Sequence, residues 1–552
     1  MLASIAASAT FGLCIAVLGG CTQQSTDDLL SGNFLTSGQS RIDLLSPSNN
    51  SIASQNPVFA WSAKAGLGRY KVEISPFSDF SQVILSKEVS ATSYTLLNSD
   101  LVGVTQLNPV QYFWRVSAAQ IKNNLQSAAN TIQILETNVY YVDTSSSSSV
   151  TVGNKTSPFK TIQSAIGTAD AARNSNAGTS ITIKVAKGTY YENIALKAGI
   201  SLYGGFDPAT WSRNISGNPT YISATLSMAI SGASDITTAY VNTTVFDGFT
   251  VYALSLTGNV TYVIYLNNAS PTISNNTLVG GSGIGTYGIL AGGGTPIISN
   301  NSISGGSAGG AGAIVSYGVF LSGSTPILAN NTIHGGSAST TSTSATSYGI
   351  YSLSSFPVMT NNTVYAGSVT GGTTASYGVF SSGSQGTVTN NIIYTSAGTS
   401  QYCYYENSIS GDNPRSFQNN LLVGCGTALY YDNATTSRTL ESDLNTAANI
   451  NQGGAGTVSG NLGPTSVPTI NAINFSAVNS FDWHLTVASP INIRCGGKNT
   501  NSASCGSAGS SSCGNVIADR DGLNRTASLT GTCVTPTNSG AAGYSIGAFE
   551  LD

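Results

Sequence analysis

Six asparagine pairs return at nearly constant spacing, and this restricts the fold more than any other feature of the chain. Asn275-Asn276, Asn300-Asn301, Asn330-Asn331, Asn361-Asn362, Asn390-Asn391 and Asn419-Asn420 are separated by 25, 30, 31, 29 and 29 residues. A second mark, Tyr287-Gly288, Tyr317-Gly318, Tyr348-Gly349 and Tyr377-Gly378, keeps the same beat, and a full unit reads YGVFLSGSTPILANNTIHGGS. Units of this kind cannot bury their apolar face alone and must stack on one another. Each holds short β-rich runs broken by Gly, Ser and Asn, without the ten or more residues of 3.6-residue periodicity that a helix requires. The unit is therefore a β-coil, with equivalent positions about 4.8 Å apart along the stack. Asn275, Asn300, Asn330, Asn361, Asn390 and Asn419 are expected to form a structural ladder. Asn tolerates the left-handed backbone of a sharp bend, and an amide bonded one coil up contributes about 1 kcal/mol net.

The pattern resembles the right-handed parallel β-helix superfamily, the pectate-lyase-like fold, over roughly residues 139–480. That fold carries lyases, glycosidases, phage adhesins and proteins without chemistry, so it fixes architecture and not activity. The stretch VYYVDTSSSSS, SPFKTIQSAIGTAD and ITIKVAKGTYYENIALKAGISLYGGFD resembles the start of bacterial surface β-helix proteins. Within it, Pro158 to Ala169 places Phe159, Ile162, Ala165 and Ile166 at helical spacing and is expected to cap the open end of the stack. The runs ITIKVA, NIALK and GISLYGG are expected to make the first coil. The ending, FDWHLTVASPINIRCGG through VIADRDGLNR to YSIGAFELD, resembles the closing segment of such proteins, with His484 a packed cap residue.

The expected chain is all-β with five parts. Residues 1–20 follow the secretory plan, and Leu18-Gly19-Gly20-Cys21 resembles a bacterial lipobox, which implies lipidation of Cys21, although no Lys or Arg precedes the apolar run. Residues 21–41 are a polar tether. Residues 42–137 hold short alternating strands that predict a β-sandwich. Trp61 and Tyr112-Phe113-Trp114-Arg115-Val116 resemble the core marks of a fibronectin type III domain, which implies a spacer. Residues 138–480 are the solenoid, and 481–552 a disulfide-containing cap.

Charged residues are 8% of the chain and the net charge is -4 without a basic cluster, which excludes a nucleic-acid surface. From Gly248 to Tyr405 there is no Asp or Glu, and from Asn214 to Pro414 no Lys or Arg. A lyase needs acidic calcium ligands and a basic side chain, and a hydrolase needs paired carboxylates. The middle coils hold neither set. Ionisable groups remain at the ends: Asp235 and Asp247 before the regular coils, and Glu406, Asp412, Arg415 and Asp432 after them. Glu406, Asp432 and Arg415 are the weak catalytic candidates. No cofactor is expected; calcium at Asp519 and Asp521 of DRDG competes with a plain turn. His334 fills a slot held by Ser304 and Tyr365 in neighbouring units and is expected at the surface.

The aromatic residues are the stronger candidates. In a regular strand Val319 shares a face with Tyr317, so Ile289, Val319, Ile350 and Val379 line the core while Leu290, Phe320, Tyr351 and Phe380 stack outside as a binding strip for sugar rings or protein. A bend at the Tyr-Gly pair would reverse this parity and leave the Tyr ladder outside instead. The variable stretches SAGGAGAIVS and SASTTSTSATS are expected to project from one side as mobile loops. Cys403 and Cys425 are expected to bridge adjacent coils, and Cys495, Cys505, Cys513 and Cys533 to form two bridges of open connectivity. The expected function is a non-catalytic, lipid-anchored bacterial cell-surface adhesin or glycan- or protein-binding module. Its partners would be a membrane, through the lipid, and a glycan or matrix protein. The rivals are a polysaccharide lyase or hydrolase and a structural envelope protein without a ligand.

Overall fold

The computed structural model describes residues 41–463, with breaks at 54–56, 65–66, 82, 97–109, 120–124, 135–137, 150–151, 176–178, 342, 396–397, 408–411, 433–434, 447–449 and 451–456, and after 463 only four short strands. Cys21, Cys495, Cys505, Cys513, Cys533, Asp519 and Asp521 lie outside the described residues, as do the signal and most of the tether and C-terminal cap. The described chain divides at Thr137/Asn138 into two compact units.

In the first unit, Leu44–Ser46, Val58–Trp61 and Ser93–Thr95 form one sheet. Ser51–Ala53, Tyr70–Ser75, Leu85–Val89, Val110–Ala118 and Asn130–Ile134 form another. Alternation along each strand sends Phe59, Trp61, Val72, Ile74, Tyr112, Trp114 and Ile132 into a common core. There Phe59 meets Trp114 edge to face at 4.8 Å, and Trp61 meets Tyr70 at 5.6 Å.

The second unit is a parallel β-solenoid. Among the described residues it carries sheets of eleven, nine, ten and four strands. In the three larger ones, neighbours along the stack are equivalent strands of successive coils, except that Ala428–Asp432 pairs antiparallel with Thr436–Arg438 at one end. One coil runs through Ile314–Ser322, Ile327–Ala329, Thr332–His334 and Ser337–Thr340, and Ser344–Leu353 begins the next. Interior side chains align in columns: Ile264, Ile289, Val319, Ile350 and Val379 on one sheet, Ile273, Ile298, Leu328, Met359 and Val388 on a second, and Leu278, Ile303, Ile333, Val364 and Ile393 on a third. All are 2% exposed or less. Burying each contributes roughly 1.5–3 kcal/mol, and because each coil adds only a few such side chains, no coil is stable without its neighbours.

The two members of each Asn pair do different work. The first members, Asn275, Asn300, Asn330, Asn361, Asn390 and Asn419, take φ between 53° and 59°, the left-handed bend between two strands. The hydrogen-bonded column runs instead through the second members. Asn276, Asn301, Asn331, Asn362, Asn391 and Asn420 each donate Nδ2 to the Oδ1 of the next at 3.0–3.1 Å, ending on Asn461. The same oxygens accept the backbone N–H of the residue one coil down at 3.0 Å. Assigning the ladder to the first members is therefore corrected by one residue. Asn461 was missed because Gly460, with φ 68°, stands where other coils carry Asn.

Three further expectations change. The helix spans Ile162–Ser175 rather than beginning at Pro158, and it buries Ile162, Ala165, Ile166 and Ala169 in the solenoid core. Its start is fixed by a distant group: Glu192 accepts from the N–H groups of Ile162 and Gln163 at 2.8 and 2.9 Å, which satisfies two orphan donors. Ile181–Ala186 and Ile200–Phe206 pair directly in one sheet, so ITIKVA and GISLYGG belong to consecutive coils, with Val139–Val142 on the other side. The variable stretches are not loose loops. Ser282–Gly283, Ser307–Gly310, Ser337–Thr340 and Ser368–Thr370 form the four-stranded sheet, and Ala308, Ile314, Ala338, Ala345 and Val369 close a small core behind it.

Candidate functional site

The site is built on a bend within one strand. In Ile314–Ser322 the residues Gly318 and Val319 both face inward: a Cβ on Gly318 would lie 2.6 Å from Ile333 Cγ2 and 2.6 Å from the Gly349 carbonyl oxygen. Two consecutive inward residues shift the alternation, so Tyr317 and Phe320 emerge on the same outer face, with Leu321 inside. The reading that placed Tyr317 beside Val319 is corrected. The alternative reading is incomplete, because both ring columns lie outside. Gly318→Ala is expected to destabilise the solenoid by about 2 kcal/mol, the usual overpacking cost against backbone that cannot move aside. A thermal unfolding series that includes Gly312→Ala, where the Cβ meets open space and the backbone is not left-handed, would check it.

One column stacks Tyr262, Tyr287, Tyr317, Tyr348, Tyr377 and Tyr402, with centroids 4.6–5.2 Å apart and planes within 23° of parallel. The second stacks Phe320, Tyr351, Phe380, Tyr405 and Tyr431 at 4.7–5.0 Å, with planes within 12°. Leu290 stands in the second column between Tyr265 and Phe320 by register, a non-aromatic step. Across the columns the rings meet edge to face, Tyr317 with Phe320 at 5.1 Å and 84°, and Tyr348 with Tyr351 at 5.0 Å and 84°. Strand spacing sets the centroid repeat, yet ring carbons attract best at about 3.5 Å, so each ring must lean by roughly 45° from the stack axis. Opposite lean in the two columns yields the near-perpendicular contacts, a herringbone. Most of these rings are half-buried, while Tyr317 is 9% exposed.

The strip is electrically neutral. Its flanking outward positions are Val315, Thr346 and Ala375 on one side and Ser322, Leu353 and Ser382 on the other. Burial pushes the Tyr287 phenol up to about 12 and raises those of Tyr317, Tyr348 and Tyr377 as well, so the tyrosines stay protonated throughout the physiological range.

The ionisable candidates go elsewhere. Glu406, 0% exposed, continues an interior column through Leu266, Ala291, Leu321, Ser352 and Ser381, and it accepts from the Tyr430 hydroxyl. Asp432 is 1% exposed and bound to Arg438 at 2.8 Å. Asp412 accepts from the N–H groups of Ser384 and Asn407 at 3.1 and 2.9 Å. It terminates a buried hydroxyl ladder in which Ser355 accepts from Ser324 N–H and Ser384 from Ser355 N–H. Arg415 is exposed and stands 5.0 Å over the Phe356 ring. Glu406 and Asp432 thus lie in the interior. Asp235 is exposed, and Asp247 is buried against Arg213, Ser274 and Asn275. Cys403, in the slot of the strand glycines, forms a disulfide with Cys425 across a Cα separation of 5.5 Å. Among the described residues no group of three or more His, Cys, Asp or Glu side chains is placed to hold a metal.

His334 is half-buried rather than freely exposed. Its Nδ1 accepts from Gly336 N–H at 2.8 Å and its ring lies edge-on to Tyr365 at 4.6 Å. Burial lowers its pKa from 6.5 to about 4. Between those two values the unfolded chain takes up a proton that the folded chain refuses, so stability falls as pH drops through this window. A Tm profile from pH 7 to pH 4 is expected to be flatter for His334→Gln than for the parent chain.

No family model matches the chain, and no curated protein matches it. Among solved structures it is similar to the pectate lyase Pel9A, with 13% identity, a TM-score of 0.30, and coverage of 75% of this chain and 96% of that one. It is also similar to the pectin methylesterase from Aspergillus niger, at 15% identity, TM-score 0.23, and coverage of 48% and 85%, and to pectate lyase Pel3 from Pectobacterium carotovorum, at 13% identity, TM-score 0.13, and coverage of 69% and 84%.

Proposed function

We propose that this chain is an exported, lipid-anchored glycan-binding protein of the cell surface, with the herringbone strip as its binding face. The observation that carries this reading is the double column of half-buried rings over consecutive coils, flanked by uncharged side chains. Sugar rings present C–H groups on their faces, and aromatic faces receive them without desolvating any charge. The Cys403–Cys425 disulfide supports export, because such bonds persist outside the reducing cytosol. The burial of Glu406 and Asp432 weighs against the lyase or hydrolase alternative. The test is a panel of neutral polysaccharides, acidic polysaccharides and matrix proteins. Retention of neutral glycans that is indifferent to salt is expected, since no exposed charge is involved. Salt-sensitive retention, or release of oligosaccharide products abolished by Glu406→Ala or Arg415→Ala, would overturn the proposal.

A further inference from the structure

The ring columns stop at one end, and what replaces them is a cavity. By register Met228 continues the column of Tyr262, and Ser231 and then Ala195 continue the column of Tyr265. With rings absent, the surface falls into a space of about 540 Å3, within the range of small-molecule sites. Leu254, Leu256 and Asn259 also line it. Three of the lining residues are cross-braced: Asn193 Oδ1 accepts from Thr225 Oγ1 at 2.6 Å and from Thr225 N–H at 3.2 Å, while Asn193 Nδ2 donates to the Met228 carbonyl. At the rim Leu226 is 64% and Met228 40% exposed, large apolar groups left open to water.

We propose that this cavity is a terminal subsite that takes the end unit of a neutral glycan chain bearing an acetamido group. The proposal rests on the glycan reading of the strip. None of the lining side chains is charged, so a uronic acid unit would lose its hydration without compensation. A plain hexose carries a hydroxyl where the acetamido group would stand, and that hydroxyl would go unpaired against Leu226, Met228, Leu254 and Leu256. An acetamido group sets its methyl against that wall. Its N–H and the remaining hydroxyls then turn toward Asn259 and Ser231, whose side chains line the same space. Asn259 is already oriented, since its Nδ2 donates to the Thr257 carbonyl at 3.2 Å. The following units run over Tyr262 and Tyr265 onto the strip. A chain seated in this way is held by one end, so binding has a direction.

The test is calorimetric titration of the protein with oligomers of equal length made of N-acetylglucosamine, glucosamine or glucose. The N-acetylated oligomer is expected to bind at least about tenfold more tightly than the others. Leu226→Asp, at an exposed position, and Ser231→Trp, which refills the cavity with a ring, are each expected to remove that advantage. A bulky label on one end of the oligomer should block binding, and on the other end should not. Equal affinity for the three oligomers, or no binding by any of them, overturns the proposal. If Tyr351→Ala weakens binding while both cavity variants leave it unchanged, the subsite is wrong and the strip stands. If neither class of variant has an effect, both readings fall.

Discussion

Replacing Asn362 with alanine is expected to destabilise the solenoid by about 4 kcal/mol, because four hydrogen bonds end on that one buried amide. Its Oδ1 accepts from Asn331 N–H and Nδ2, and its Nδ2 donates to the Leu328 carbonyl and to Asn391 Oδ1, all at 2.9–3.0 Å. Alanine orphans a backbone donor in a dry interior and breaks the column in the middle. The neighbour Asn361 provides the contrast. Its φ of 53° is a conformation that glycine adopts freely, so Asn361→Gly should change stability by less than about 1 kcal/mol. Denaturant unfolding with hydrogen exchange read coil by coil separates the two, since stacked repeats open locally as well as globally. Equal effects at the two positions would mean that the column is not what holds the coils in register.

The second large effect is on binding. Removing Phe320, Tyr351 and Phe380 together by alanine substitution is expected to lower glycan affinity about a hundredfold, at about 1 kcal/mol for each lost ring contact. These rings are half-buried and also lean on the Tyr317 column, so the variant must be shown to keep its hydrogen-exchange pattern at the Asn ladder. Tyr351→Phe keeps the ring and drops only the hydroxyl, and should retain affinity within a fewfold. An intact fold with unchanged affinity would remove the strip from consideration.

The period of the Asn pairs was enough to derive stacked parallel coils, because a motif that recurs every coil admits few other arrangements. Which Asn of each pair carries the ladder was not legible: both are the same residue, and only the bend decides which amide turns inward. The outer ring columns were half legible. Phe320, Tyr351 and Phe380 stand at constant phase, but the alternation rule assumes a regular strand, and the Tyr-Gly step breaks it with two inward residues. The ends of the ladders hid behind substitutions, Gly460 for Asn and Asp412 for Ser, that preserve geometry while changing the letter. The cavity below Tyr262 and Tyr265 had no signature at all, since Ala195, Met228 and Ser231 are unremarkable one by one.

Because Tyr317, Tyr348 and Tyr377 begin superimposable turns of the chain, a whole turn cut between two such tyrosines leaves ends that already match. Deletion or duplication in register would shorten or extend the ringed face in steps of one strand spacing, with the Glu192-capped helix and the Cys403–Cys425 closure untouched at either end. Reach, and with it the number of sugar units engaged, becomes a quantity that copy number sets.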